Sequence, residues 1–288
     1  MTEVGLRLNG IYSDHFVIYA EMFFITSIDD PRISPYRNLK DRQLERDGAR
    51  FIAEGGLILQ RLLASDYPVE SVLLSERTAK EIAPIVPGHV PVYVATDSII
   101  KDVIGYKFHS GIIAVGRRKP IEPLEQMAAL ARARATLVIC PETAGADNLG
   151  SMIRIAAAFG ADAVVLGERC HDPFYRQSIR VSMGTVFSMP LVRSDNLLRD
   201  MRQLREIWGY ELVATVLDEN AEPLDRAPRQ SRLGLLFGNE AQGLEEPYLR
   251  ECDRRVTIPM RQGVDSLNVA VAAGIFLYHF TREVGSIG

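Results

Sequence analysis

The stretch IPMRQGVDSLNVAVAAGIFLY (258–278) ends an apolar run, breaks into Pro, Gly, Asp and Ser, and then resumes as a strongly apolar helix. Two other segments share parts of this design. LLFGNEAQGL (235–244) carries a β-rich run into Gly and Asn, and ADNLGSMIRIAAAFG (146–160) opens polar and continues apolar. Each break sets polar side chains and free backbone amides at a strand's C-terminal end, where open α/β sheets bind ligands.

Around these segments the C-terminal half alternates regularly. It reads as helix 123–134, strand 136–140 (TLVIC), a helix from Asp147 or Asn148 to Phe159, strand 163–167 (AVVLG), helix 174–183, strand 188–192 (SMPLV) and helix 195–207. Strands 210–215 (YELVAT), 233–238 (LGLLFG) and 254–259 (RRVTIP) follow, and then a final helix from Ser266. This alternation predicts a parallel sheet, and by default an unknotted one, because knots are nearly absent from folds.

The N-terminal half predicts a smaller α/β unit. Residues 42–64 read as an amphipathic helix, followed by strand 71–75, helix 76–83, strand 90–95, a short helix capped at Thr96 and Asp97, and strand 111–116. RRKPIEP (117–123) reads as a linker or, with Pro120 and Pro123, equally as an ordered turn. The expected organisation is an N-terminal extension over 1–36, a small domain over 37–118 and a larger one over 119–288. The larger unit is expected to fold without the smaller one.

Composition narrows the class. The 288 residues are 47% hydrophobic and 24% charged, as in ordinary globular proteins. Polar residues interrupt the longest apolar stretches, so no membrane span is expected, and the N-terminus lacks a signal-peptide pattern. Three separated cysteines, Cys140, Cys170 and Cys252, suggest neither a disulfide framework nor a zinc site, and no metal is expected. A reducing, cytoplasmic compartment follows. The net charge of -4 argues mildly against a nonspecific nucleic-acid binder. Basic residues nonetheless cluster at 32–50, at 117–119 and at Arg169, Arg176, Arg180 and Arg193, on solvated faces or on an RNA-binding one.

Taken residue by residue, several positions have bland explanations. Arg154 lies on a helix whose Met152, Ile153, Ala156 and Phe159 can face the core, and a lone arginine there is ordinarily solvated. Asn148 and Ser266 suit helix N-caps, and Glu240 suits a turn. Gly150 costs helix propensity and implies close approach of a backbone or ligand, whereas Gly238 would free a strand end for a flat ring. Asn268 is polar on an otherwise apolar helix and is harder to place. His171 and Asp172 read as turn chemistry. No Ser-His-Asp elbow, P-loop or GxGxxG string is present, so no phosphate cradle is expected.

Together, Asn148, Gly150 and Arg154, then Gly238, Asn239, Glu240 and Gly243, then Ile258, Pro259, Met260, Ser266, Leu267 and Asn268 resemble the SpoU (TrmH) family of RNA ribose 2'-O-methyltransferases in the SPOUT superfamily. One departure is that Arg261 and Gln262 intervene before Gly263, where the family commonly places a glycine sooner. The resemblance implies a C-terminal parallel-sheet domain with a deep trefoil knot, preceded by a small L30e-like domain that reads RNA. It implies S-adenosylmethionine as cofactor, structured transfer or ribosomal RNA as substrate, and a homodimer. It assigns catalysis to Arg154, Asn148, Glu240, Ser266 and Asn268, and cofactor binding to Thr215, Leu236, Gly238, Ile258, Met260 and Leu267. A noncatalytic RNA-binding assembly factor and a Rossmann-type nucleotide-binding enzyme are the competing readings.

Overall fold

A computed structural model describes residues 20–37, 39, 49–106, 109–239, 241–260 and 266–282. The first half forms β1 (Met22–Phe24), β2 (Arg50–Glu54), α1 (Gly56–Leu63), β3 (Val69–Ser75), α2 (Glu76–Ile82), β4 (Val92–Ala95), α3 (Asp97–Ile104) and β5 (Ile112–Arg117). These strands make a mixed sheet in the order β1-β4-β3-β5-β2. The β1-β4 and β4-β3 pairs are parallel, and β5 runs antiparallel to both β3 and β2.

The second half forms β6 (Ala135–Cys140), α4 (Ala146–Ala158), β7 (Ala163–Leu166), α5 (Arg176–Val181), β8 (Leu191–Arg193), α6 (Leu197–Glu206), β9 (Glu211–Thr215), β10 (Glu222–Pro223), β11 (Arg232–Leu236), α7 (Glu246–Glu251), β12 (Arg254–Thr257) and α8 (Val269–Thr281). Its seven strands are ordered β10-β12-β9-β11-β6-β7-β8, and every neighbouring pair is parallel. The parallel alternation expected from sequence is therefore what forms. β6, β7 and β11 are apolar almost throughout, the composition required when both faces of a strand are covered.

Three local expectations are corrected. Residues 50–54 are a strand rather than part of a 42–64 helix, because Phe51, Ile52 and Ala53 are all buried between covered faces, which a one-sided helical stripe would not achieve. Residues 123–134 form two short 3-10 turns, Leu124–Gln126 and Ala128–Ala131, instead of a helix. Residues 22–24, expected to lie in an extension, add the edge strand of the first sheet. For RRKPIEP the ordered reading holds, since Glu122 bridges Val192 of β8.

The two sheets share one core. Phe51 of β2 stacks on Phe174 with ring centroids 5.6 Å apart and lies 5.2 Å from Phe187, while Tyr67 contacts the same two rings. Polar ties frame this cluster: Arg118 pairs with Asp172 at 2.7 Å, Arg176 with Glu54 at 2.7 Å, and Arg61 donates to the Met183 carbonyl at 2.7 Å.

Candidate active site

The parallel sheet ends in a cleft of about 510 Å³ at the C-terminal edges of β9, β11 and β12, closed on one side by the start of α8. Phe237, Ile258, Met260, Leu267, Val269 and Phe276 supply apolar walls. Thr215, Asp218, Asn239, Gln242, Arg255 and Ser266 supply the polar positions. A volume and a lining of this kind suit a small ligand with one flat apolar part and a few polar groups.

The loop after β11 is held tightly. Asn239 and Gly243 exchange backbone hydrogen bonds of 2.9 and 2.8 Å, and the Asn239 Oδ1 accepts from the amides of Ala241 and Gln242 at 2.8 and 3.3 Å. Asn239 Nδ2 donates to Glu142 Oε1 at 3.2 Å, and Arg169 bridges Glu142 and Glu245 at 3.1 and 2.7 Å. The Glu245 carboxylate holds the Arg169 guanidinium above its ordinary pKa. Gly238 serves this closure: a Cβ there would sit 2.3 Å from the Gly243 carbonyl carbon and 2.5 Å from its oxygen. The glycine is needed by the folded-back loop itself, besides lining the cleft.

On the other side, α4 and α8 pack together and meet at their N-terminal ends. Asn268 Nδ2 donates to Asn148 Oδ1 at 2.8 Å. Asn268 Oδ1 also accepts from the amides of Ala270 and Val271 at 2.9 and 3.3 Å, so Asn268, not Ser266, is the N-cap of α8. Asn148 is likewise not an N-cap, because α4 already begins at Ala146 behind Gly145. Gly150 faces α5, where a Cβ would approach the Ser178 carbonyl oxygen to 2.6 Å, so the close approach inferred from sequence is to backbone. Gln177 reinforces this packing by donating to Asp147 at 2.7 Å.

Of the residues singled out from sequence, Thr215, Gly238, Ile258, Met260, Ser266 and Leu267 line the cleft. Leu236 does not; it is buried, and its carbonyl accepts from Thr215 Oγ1 at 2.7 Å. Asn148 reaches the cleft's edge through Asn268, while Arg154 is exposed further along α4 and has no hydrogen bond or ion pair among the described residues. Glu240 and the Arg261–Gly263 path lie outside the described residues. Val216, Leu217, Asp218, Gln242 and Arg255 were missed. The signal available for the first three was positional, since they follow the C-terminal end of β9 directly.

In the basic clusters, solvent exposure is combined with ion pairing. Arg32 pairs with Asp30, Arg50 and Arg117 with Glu70, Arg118 with Asp172, Arg169 with Glu142 and Glu245, and Arg176 with Glu54. Arg193 donates to the Cys170 carbonyl. Arg118 and Arg176 are part-buried and tie the two halves together, whereas Arg32, Arg117 and Arg169 stay exposed as on solvated faces. The Asp172 carboxylate also accepts from the Phe174 amide, which confirms the turn role read for that residue.

Residues 135–278 match the SpoU rRNA Methylase family. An uncharacterized tRNA/rRNA methyltransferase of Mycobacterium bovis is 38% identical over 268 residues, 90% of this chain and 92% of its own length. The 23S rRNA (guanosine(2553)-2'-O)-methyltransferase RlmP of Bacillus subtilis is 30% identical over 88% of this chain and 98% of its own length. Among solved structures, an AdoMet-bound rRNA methyltransferase from Sinorhizobium meliloti aligns with a TM-score of 0.77 at 25% identity, across 90% of this chain and 97% of that one. A family match over the cleft-bearing sheet and relatives similar along nearly the whole chain place this protein in the SpoU rRNA Methylase family.

Proposed function

We propose that the chain is an S-adenosylmethionine-dependent methyltransferase that acts on a ribose 2'-hydroxyl of ribosomal or transfer RNA. The observation carrying this reading is the apolar cleft at the strand ends, joined through Asn268 and Asn148 to the helix that bears Arg154. Family membership and the 2'-O-methyltransferase RlmP, similar along 88% of this chain, support it.

The cleft residues fit that cofactor. Aromatic and aliphatic walls suit adenine, and the turns at Gly238 and Ile258 offer backbone polar groups. The sole charged side chains among the described lining residues are Asp218 and Arg255, which do not make a phosphate cradle. This cofactor carries no phosphate, so none is needed. When bound, it supplies an electrophilic methyl group on a sulfonium.

The remaining chemistry falls to the protein's side chains. A guanidinium keeps its proton, with a pKa above about 12, so Arg154 is assigned to charge rather than to base catalysis. It stabilises the alkoxide developing on the ribose and holds the neighbouring phosphodiester, while the proton leaves to phosphate or water. Asn148 and Asn268 fix the entrance of α4 relative to the cleft, and Ser266 and Glu240 complete the ribose contacts. Alignment of this kind can contribute several kcal/mol to the rate.

The finer architecture completes the proposal. The C-terminal domain, residues 119–288, carries a deep trefoil knot, and residues 37–118, together with the β1 edge strand, form an L30e-like unit that reads RNA shape, since the 2'-hydroxyl distinguishes RNA without a base code. On α8, Val271 and Ile275 are 52 and 39% exposed one turn apart, an apolar face suited to a second copy of the chain in a homodimer. No helix among the described residues is long and apolar enough to cross a membrane. RNA as substrate suits work in the cytoplasm. The test is to map ribose 2'-O-methyl sites in total RNA from cells with and without the gene, and to restore the missing site with purified protein and cofactor. An unchanged map, together with no methyl transfer in vitro, would refute the activity.

A further inference from the structure

At the far end of α8 from the cleft, a second depression of about 490 Å³ opens among Arg134, Arg229, His279 and Arg282, with Gln230 and Ser231 beside them. No acidic side chain lines it among the described residues. This is unusual in a chain of net charge -4 whose other arginines are mostly paired with carboxylates. Arg134 and Arg282 are exposed and form no ion pair among the described residues. Arg229 is half-buried, and its Nη1 donates to Thr136 Oγ1 at 3.0 Å and to the Phe280 carbonyl at 2.8 Å, while its Nε is buried without a partner.

Helix geometry explains part of this arrangement. Cations near a helix C-terminus interact favourably with its last carbonyls, and His279 is held to the Ala227 carbonyl at 2.9 Å. That account suffices for one cation. It does not explain three arginines around one depression, of which Arg134 disfavours the charge on Arg229, nor a buried guanidinium donor left unused. Burial first, and the charge of Arg134 second, hold the Arg229 guanidinium below its ordinary pKa. An anion with several acceptor oxygens would offset the crowding of positive charge, because forked guanidinium donors match its geometry.

We infer that Arg134, Arg229 and Arg282 form a second RNA-binding site that takes backbone phosphates of the substrate strand away from the reacting ribose. The inference rests on the RNA methyltransferase reading above. The 13 residues of α8 span about 20 Å, a separation that a strand of a few nucleotides can cover. Phosphates are common to every sequence, so the site sets affinity and register rather than base choice.

Arg134→Ala combined with Arg282→Ala removes two exposed charges and leaves the Arg229 bonds in place. Wild type and the double variant are titrated with inorganic pyrophosphate by calorimetry, with S-adenosylmethionine, and with a substrate RNA at two salt concentrations. The expected result is pyrophosphate binding by wild type alone. RNA affinity is expected to fall about tenfold in the variant, with a salt slope shallower by about 0.7 to 0.9 for each phosphate that is no longer neutralised. Cofactor affinity is expected to stay unchanged. Equal RNA affinity and equal slope in the two proteins would overturn the inference. Loss of pyrophosphate binding without change in RNA binding would also overturn it, leaving a small-anion pocket. If the RNA effect appears but wild type does not bind S-adenosylmethionine, the phosphate site stands and the methyltransferase reading falls.

Discussion

Asn268 and Asn148, 120 residues apart in the chain, are joined side chain to side chain by a 2.8 Å hydrogen bond, with Asn268 Nδ2 as donor. The same Asn268 caps α8 with its oxygen. These two duties separate by substitution. Asn268→Asp keeps the cap, because aspartate serves as well as asparagine there, but loses the donor. Its expected phenotype is near-normal thermal stability with methyl transfer reduced at least tenfold. Asn268→Ala loses both and should cost about 0.5 to 2 kcal/mol of stability besides. Equal activity of the aspartate variant and wild type would show that the bridge to Asn148 is not used in catalysis.

Arg154 stands exposed on α4 with no ion pair among the described residues. If its charge acts only as the ribose oxygen becomes anionic, Arg154→Ala should lower kcat by roughly two or more orders of magnitude and leave S-adenosylmethionine affinity within a few-fold. Arg154→Lys should recover part of the rate, since it keeps the charge and loses the fork. Single-turnover rates and calorimetric binding measure the two quantities separately.

The loop after β11 gives a test of a different kind. A methyl group on residue 238 must displace the Gly243 backbone, which lies 2.3 Å from its ideal position. Gly238→Ala should therefore destabilise by about 1 to 3 kcal/mol, as overpacking does, and weaken cofactor binding through movement of the loop. Urea midpoints and cofactor titrations report both effects. A variant as stable as wild type would mean that the loop is not closed against this glycine.

Which parts were legible in the sequence follows from the range of the interactions involved. The strands of the parallel sheet are short apolar runs bounded by turn residues, and α3 announces its start at Thr96, whose side chain does accept from the Ile99 amide. Most of the cleft could also be found, because ligand-facing residues follow strand ends. Arg255 could not, since nothing local marks a side chain within β12 as one that lines the cleft. The ion pairs of the arginines were hidden for a similar reason. Sequence shows that Arg118 and Arg176 are basic, but not that Asp172 and Glu54 lie 2.7 Å from them. Residues 50–54 were placed in a helix because apolar Phe51 and Ile52 fit either period, and only pairing with β5 decides between them.

That pairing governs the last prediction. Through β2, Phe51 joins the first sheet to a cluster containing Phe174, Phe187 and Tyr67, so the core of one sheet is completed by the other. A fragment beginning near Pro120 would keep all seven strands of the parallel sheet yet leave Phe174 and Phe187 without their partners, and Asp172 and Arg176 without Arg118 and Glu54. The fragment should be poorly soluble or unfold at a much lower urea concentration than the full chain, contrary to the independence suggested by the linker composition. In the full chain, Phe51→Ala should cost about 3 to 5 kcal/mol, the range for removing a buried aromatic ring. Probes in the two halves should then still lose structure together, because the cavity lies in packing that both sheets share. Separate transitions for the two halves in wild type, or a fragment as stable as the full chain, would show that the seam contributes little and that each sheet is stable by itself.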